Sequence, residues 1–223
     1  MGLSGIWAGF YKWSVWITRF AWLNLLFIGF TLVGFVLFGW MPALLATFAV
    51  VRKWIQKDYD IPIFQTFLFH FKKSFLHGNL FALLLIVAGY ILSIYLKYTG
   101  LMYNSSFYPI LFGLFFIALV LYVMLFLNLP AVYAHYQLSF WQYIRYALSI
   151  GVVNLHFSIS ALTVLAIIYY ISMKTPLLIF FFTFSTSAYF VMLFANLGFI
   201  QLWRKKEKAL QREQASISST ETG

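Results

Sequence analysis

The chain reads as long apolar runs separated by short polar breaks. Phe20 to Val51 carries no charged residue over 32 positions. At about 1.5 Å per residue that run would be about 48 Å long as one helix. A membrane span needs about 20 residues, so the run is too long for one span and short for two. The stretch Phe38-Gly39-Trp40-Met41-Pro42-Ala43 supplies the break. Proline is tolerated in the first helical turn, where its missing N–H costs nothing. The pattern therefore predicts a span at 20–39 and a short second helix at 42–56. Ahead of them, Trp7, Trp13 and Trp16 with Lys12 and Arg19 predict a helix over 6–19 lying against the headgroups.

The rest alternates in the same way. Ile61 to His77 is amphipathic, with Phe64, Phe67, Phe71 and Phe75 beside Lys72 and Lys73, and predicts a second interfacial helix. Asn79 to Leu96 predicts a span, and Lys97 to Ser106 a polar turn. Phe107 to Leu129 predicts a span ended or kinked at Pro130. Tyr133 to Leu148 predicts a third interfacial segment. Val152 to Ile171 and Leu177 to Trp203 predict two more spans around a turn at Met173 to Pro176. The predicted fold class is all-α: a polytopic transmembrane bundle of five full spans plus one short or re-entrant helix, with amphipathic interfacial helices. Residues 1–205 form one membrane domain, and 206–223 a cytoplasmic tail, basic and then disordered. Two internal echoes leave duplication open: 123–129 against 191–197, and Pro-Ala-x-x-Ala at 42–46 against 130–134.

Composition agrees with this pattern. Hydrophobic residues make up 63% and charged residues 9%, with a mean hydropathy of +0.89; a soluble domain carries about 25% charged residues. The net charge is +10, but the basic residues sit at the ends of apolar runs, where lipid headgroups and topology call for them. That placement argues against nucleic-acid binding. With no cysteine, thiolate chemistry and zinc–thiolate sites are excluded. If six segments cross, 13 Lys and Arg lie on one side and Lys97 and Lys174, 2 residues, on the other. If 42–56 does not cross, the split is 11 against 4. Either way the positive-inside rule puts the C-terminus in the cytoplasm.

Candidate chemistry is sparse. The acids are Asp58, Asp60, Glu207, Glu213 and Glu221, none inside a predicted span. Proton-coupled carriers rely on ionisable groups within the membrane, and hydrolytic or metal-assisted sites on clustered carboxylates. No Walker-type phosphate loop occurs. No catalytic residue, cofactor or metal site is assigned. Arg52, Lys53, Trp54, Lys72, Lys73, Arg145, Arg204, Lys205 and Lys206 are candidates for contact with anionic lipid or a partner. Asn24, Asn128, His135, Asn154, His156 and Asn196 are candidates for polar contacts inside the membrane.

Several stretches carry a resemblance: Trp22-Leu23-Asn24-Leu25-Leu26, Gly39 to Ala46, Val50-Val51-Arg52-Lys53-Trp54, and Phe71-Lys72-Lys73-Ser74-Phe75. With these the chain resembles the YesL family of bacterial membrane proteins, the domain of unknown function numbered 624, over residues 5–205. The family has no established activity, and its members sit beside genes for carbohydrate ABC importers and polysaccharide breakdown. The resemblance implies an accessory or assembly component of sugar uptake in the bacterial cell membrane, with importer permease subunits as partners. It carries over no catalytic residue. A stand-alone transporter or channel is the alternative.

Overall fold

In the computed structural model, which describes residues 5–221, all regular structure is helical. Helix α1 (Gly5–Val33) turns back through residues 34–39 into α2 (Trp40–Ile55). The two form an antiparallel hairpin. At its open end Trp16 and Phe20 pack on Trp54, with ring centroids 5.7 and 5.5 Å apart. At its closed end a Cβ on Gly39 would lie 2.5 Å from the Thr31 carbonyl oxygen, so only glycine fits there. Phe35 and Val36 take left-handed φ values of 52° and 61°, an unusual conformation for bulky and β-branched residues. The tip displays Phe35, Val36, Leu37 and Phe38, with Phe35 87% exposed. An apolar tip of this kind suits lipid rather than water.

α2 is the centre of the bundle. Met41, Pro42, Ala43, the run from Leu45 to Val51, and Trp54 are all buried. A helix apolar on every side is one surrounded by protein. Its 16 residues reach about 24 Å, which is short for a full span. The break predicted at Gly39 and Pro42 is there, and Pro42 sits in the first turn of α2 as expected.

Helix α3 (Ile63–Leu101) runs first along α2, where a Cβ on Gly78 would come within 3.0 Å of Pro42. Farther on it meets α4 (Tyr108–His135) through Tyr95 and Phe115, 6.1 Å apart. α5 (Phe140–Val153) folds back on α4, with Tyr143 and Tyr133 rings 5.0 Å apart and Gly151 against Met124 and Asn128. After the break at Asn154 comes α6 (Leu155–Lys174). The last helix is assembled from α7 (Pro176–Leu178), a π-helical turn (Ile179–Thr183) and α8 (Phe184–Glu221).

Five helices are long and apolar enough to cross a membrane: Gly9–Val33, Ile63–Leu101, Tyr108–His135, Leu155–Lys174 and Pro176–Arg204. The chain is a multi-pass membrane protein, with five candidate spans and one short inner helix. Three expectations need correction. The interfacial helices predicted at 6–19 and 61–77 are the first halves of α1 and α3. Nothing in either junction stops a helix, since a lone Gly78 costs only about 1 kcal/mol and gives Pro42 its space. The first span ends at Val33, not residue 39, because the glycine-bounded turn starts at Gly34. Of the two alternatives at Pro130, an end or a kink, the end is excluded, since α4 continues to His135. Helix α8 continues through the tail to Glu221, and residues 206–215 of it are Lys, Glu, Ala, Leu, Gln and Arg, all good helix formers; 222–223 lie outside the described residues.

Candidate functional site

Two polar constellations stand out. The first is built on Asn24, fully buried in α1. Its Nδ2 donates to the carbonyls of Ile179 (3.0 Å) and Phe180 (2.7 Å). Its Oδ1 accepts from the amides of Phe184 (2.9 Å) and Ser185 (3.0 Å). A π-helical turn displaces backbone groups from the regular i→i−4 ladder, and in lipid such groups must find partners within the protein. One amide side chain, offering two donors and an acceptor, serves both edges of the turn. Ser172 and Thr183 hydroxyls, 2.7 Å apart, tie the same turn to α6.

The second is a groove of about 620 Å³ where α2, α3 and the end of α4 meet. Arg52 of α2 lines it, with His70, Lys73 and His77 of α3 and Tyr133, His135 and Tyr136 at the end of α4. The α3 residues share a face because positions three and four apart stack along a helix. The wall from Tyr136 to Leu138 is fixed from behind. Tyr143 donates its hydroxyl to the Tyr136 carbonyl at 3.1 Å and accepts the Leu138 amide at 3.1 Å. Ser139 holds the start of α5 by donating its amide to Gln142 Oε1 at 3.0 Å. His135 is wedged against Phe199 of α8, ring centroids 4.5 Å apart.

The groove is one-signed. Among the described residues no carboxylate lines it. The buried Arg52 Nε and His135 Nδ1 have no hydrogen-bond partner among the described residues. Burial lowers the Arg52 pKa from its usual value, although a guanidinium keeps its charge in proteins. Among the described residues the one ion pair is Arg19 with Asp60, 3.9 Å apart and open to the outside. No group of three or more His, Cys, Asp or Glu side chains among them is placed to hold a metal ion.

The predicted contact residues divide accordingly. Arg52 and Lys73 meet in the groove, and Lys53 is half-buried outside its lining. Lys72, Arg145 and Arg204 are exposed. The side chains of Lys205 and Lys206 lie outside the described residues. Trp54 is the exception: it is 1% exposed, packed on Trp16 and Phe20 inside the hairpin, so it is a core residue and not a lipid contact.

Of the intramembrane candidates, Asn128 is buried and donates to the Met124 carbonyl (2.9 Å) and Ser158 (3.5 Å). Asn154 is buried with both amide atoms unpartnered among the described residues. It opens on a cavity of about 10 Å³ shared with Asn128 and Ser158. Asn196 is half-buried. His135 lines the groove while His156 is exposed on α6, so the two imidazoles do not form one site.

Comparison with known proteins places this architecture. The family described as "Protein of unknown function, DUF624" matches residues 20–96. Those residues hold the second half of α1, all of α2 and most of α3. The protein YteU of Bacillus subtilis (strain 168) is 33% identical over 181 residues, 78% of each chain. The chain belongs to the DUF624 family. Two further relatives come from the same organism. YesV is 39% identical over 140 residues, covering 60% of this chain and 64% of its own. YesL is 31% identical over 143 residues, covering 64% and 65%. All three are named as uncharacterised. No solved structure matches.

Proposed function

We propose that this DUF624 protein is a non-enzymatic integral membrane protein of the bacterial cell membrane that serves a carbohydrate ABC importer as an added or assembly subunit, its C-terminus cytoplasmic. The observation that carries this is where the polar groups go. Asp58, Asp60 and Glu207 are exposed at the ends of the bundle, while the buried amides of Asn24 and Asn128 serve helix-to-helix contacts. A proton-driven carrier would use an ionisable relay between its spans, and a hydrolase a base held beside its reacting group. The resemblance to a family found beside importer genes supplies the partner class. Co-purification of importer permease subunits with the tagged full-length chain in mild detergent is the test. Capture of the permeases is expected, and their absence at native expression levels refutes the importer role.

The groove of about 620 Å³, a size suited to a small ligand, favours a second reading as a stand-alone transporter or channel. Solute uptake by the purified chain in liposomes, without any permease, would decide for it.

A further inference from the structure

We propose that the groove between α2, α3 and the end of α4 is a binding site for a phosphate-bearing anion, with Arg52 as its fixed donor. This does not rest on the importer role. Arg52 and Lys73 bring two permanent charges to one concavity, and His70, His77 and His135 add ring nitrogens that donate or accept. Among the described residues no carboxylate lines it. The buried Arg52 Nε points its N–H at no acceptor among the described residues, and His135 Nδ1 likewise lacks a partner. A buried N–H is ordinarily paired, because leaving the donor unmet forfeits the cost of its desolvation; the rest of the half-buried Arg52 guanidinium stays reachable from the groove. The groove wall is pre-set by Tyr143, which ties down the backbone of Tyr136 and Leu138. A preformed cavity with converging donors and a single sign of charge fits an anion. The planar fork of arginine matches phosphate oxygens.

A phosphate can reach this position on the headgroup of an anionic lipid or as a soluble phosphate ester. The test uses the purified full-length chain in nanodiscs, at fixed ionic strength, with thermal stability as readout. One arm compares phosphatidylcholine discs with discs containing phosphatidylglycerol. The other titrates inorganic phosphate, against sulfate and chloride, into phosphatidylcholine discs. Binding is expected to raise the melting temperature in at least one arm. Arg52→Gln is expected to weaken that binding by about tenfold or more, the usual size of a lost charged hydrogen bond. Lys73→Gln, on the exposed side of the groove, is expected to weaken it severalfold without perturbing the fold. It keeps the test decisive if Arg52→Gln does not assemble. Lys97→Gln, exposed near the far end of α3 and outside the lining, is expected to bind as the parent does. A response to phosphatidylglycerol alone identifies a lipid headgroup, and a response to inorganic phosphate in phosphatidylcholine identifies a soluble source. No stabilisation in either arm, binding undiminished in the groove variants, or equal loss in Lys97→Gln overturns the proposal.

Discussion

Replacing Asn24 by Leu should be among the most damaging single changes in the bundle. The side chain is fully buried and makes four hydrogen bonds, to two carbonyls and two amides around the π-helical turn. Hydrogen bonds inside membrane proteins average about 0.6 kcal/mol each by double-mutant cycles, so four lost bonds come to about 2–3 kcal/mol. The turn makes the true cost larger, because its displaced backbone groups have no water to turn to in the lipid core. Asn24→Asp keeps an acceptor for Phe184 and Ser185 but aims a second oxygen at the carbonyls of Ile179 and Phe180, so it should cost at least as much. Asn79 is the control, since its amide only returns to the Phe75 carbonyl of its own helix at 2.8 Å; Asn79→Leu should cost under about 0.5 kcal/mol. Unfolding in mixed micelles with rising dodecyl sulfate, followed by tryptophan fluorescence, gives the comparison. Trp16 and Trp54 sit together in the α1–α2 contact and report separation of the hairpin. If Asn24→Leu unfolds at the same midpoint as Asn79→Leu, the clamp contributes nothing and the account of the π-helical turn is wrong.

Three further outcomes follow from the same packing. Gly39→Ala sets a Cβ 2.5 Å from the Thr31 carbonyl oxygen and 2.7 Å from that of Phe30; it should destabilise by about 1–3 kcal/mol or more, measured in the same unfolding assay. Gly78→Val should open the α2–α3 contact where Pro42 lies within 3.0 Å of a Cβ, and cysteine cross-linking between the two helices should fall with it. Asn154→Leu should be neutral or stabilising, within about 0.5 kcal/mol, because both amide atoms lack partners among the described residues and removing unmet polar atoms relieves their desolvation; a loss above about 1 kcal/mol would show that those atoms are satisfied.

Much of the fold was legible because the signals are local. The charge-free run from Phe20 to Val51 and the Gly39–Pro42 break are enough to announce two helical pieces where one would overrun a bilayer. The joined halves of α1 and α3 were not legible. A change from amphipathic to uniformly apolar sequence marks a change of surroundings, and a helix crosses it without interruption when no residue breaks the backbone ladder. At Pro130 the sequence left an end or a kink open: proline removes one hydrogen bond, and α4 carries it inside the helix, packed on both sides of it. Asn24 could be picked out as a polar group in an apolar run, but its target could not. The π-helical turn falls on Ile-Phe-Phe-Phe-Thr, which has no composition that distinguishes it from ordinary helix. The internal echoes fall in different settings: Pro42 opens a helix while Pro130 lies inside one, and Asn128 is buried while Asn196 is half-buried. Trp54 carries the sequence signature of a membrane-edge tryptophan, and only the placement of α2 at the centre buries it.

The groove shows where the sequence stops and the fold begins. His70, Lys73 and His77 share a helical face on spacing alone, but Arg52 and His135 reach them only through three helices meeting. Once they meet, the charge inventory limits what can balance them. Among the described side chains Asp60 lies with Arg19 at the open end of the hairpin, and Asp58 and Glu207 are exposed and outside the lining. A buried donor left without an acceptor forfeits the cost of its desolvation. The unpartnered Nε of the half-buried Arg52 therefore favours a negative charge brought into the groove from beyond the described residues. Adding one should restore the balance: Ala49→Asp places a carboxylate one helical turn before Arg52 on the same lining. That variant is expected to fold and to lose the response to added anion. If it kept the full response, the anion would have to bind elsewhere.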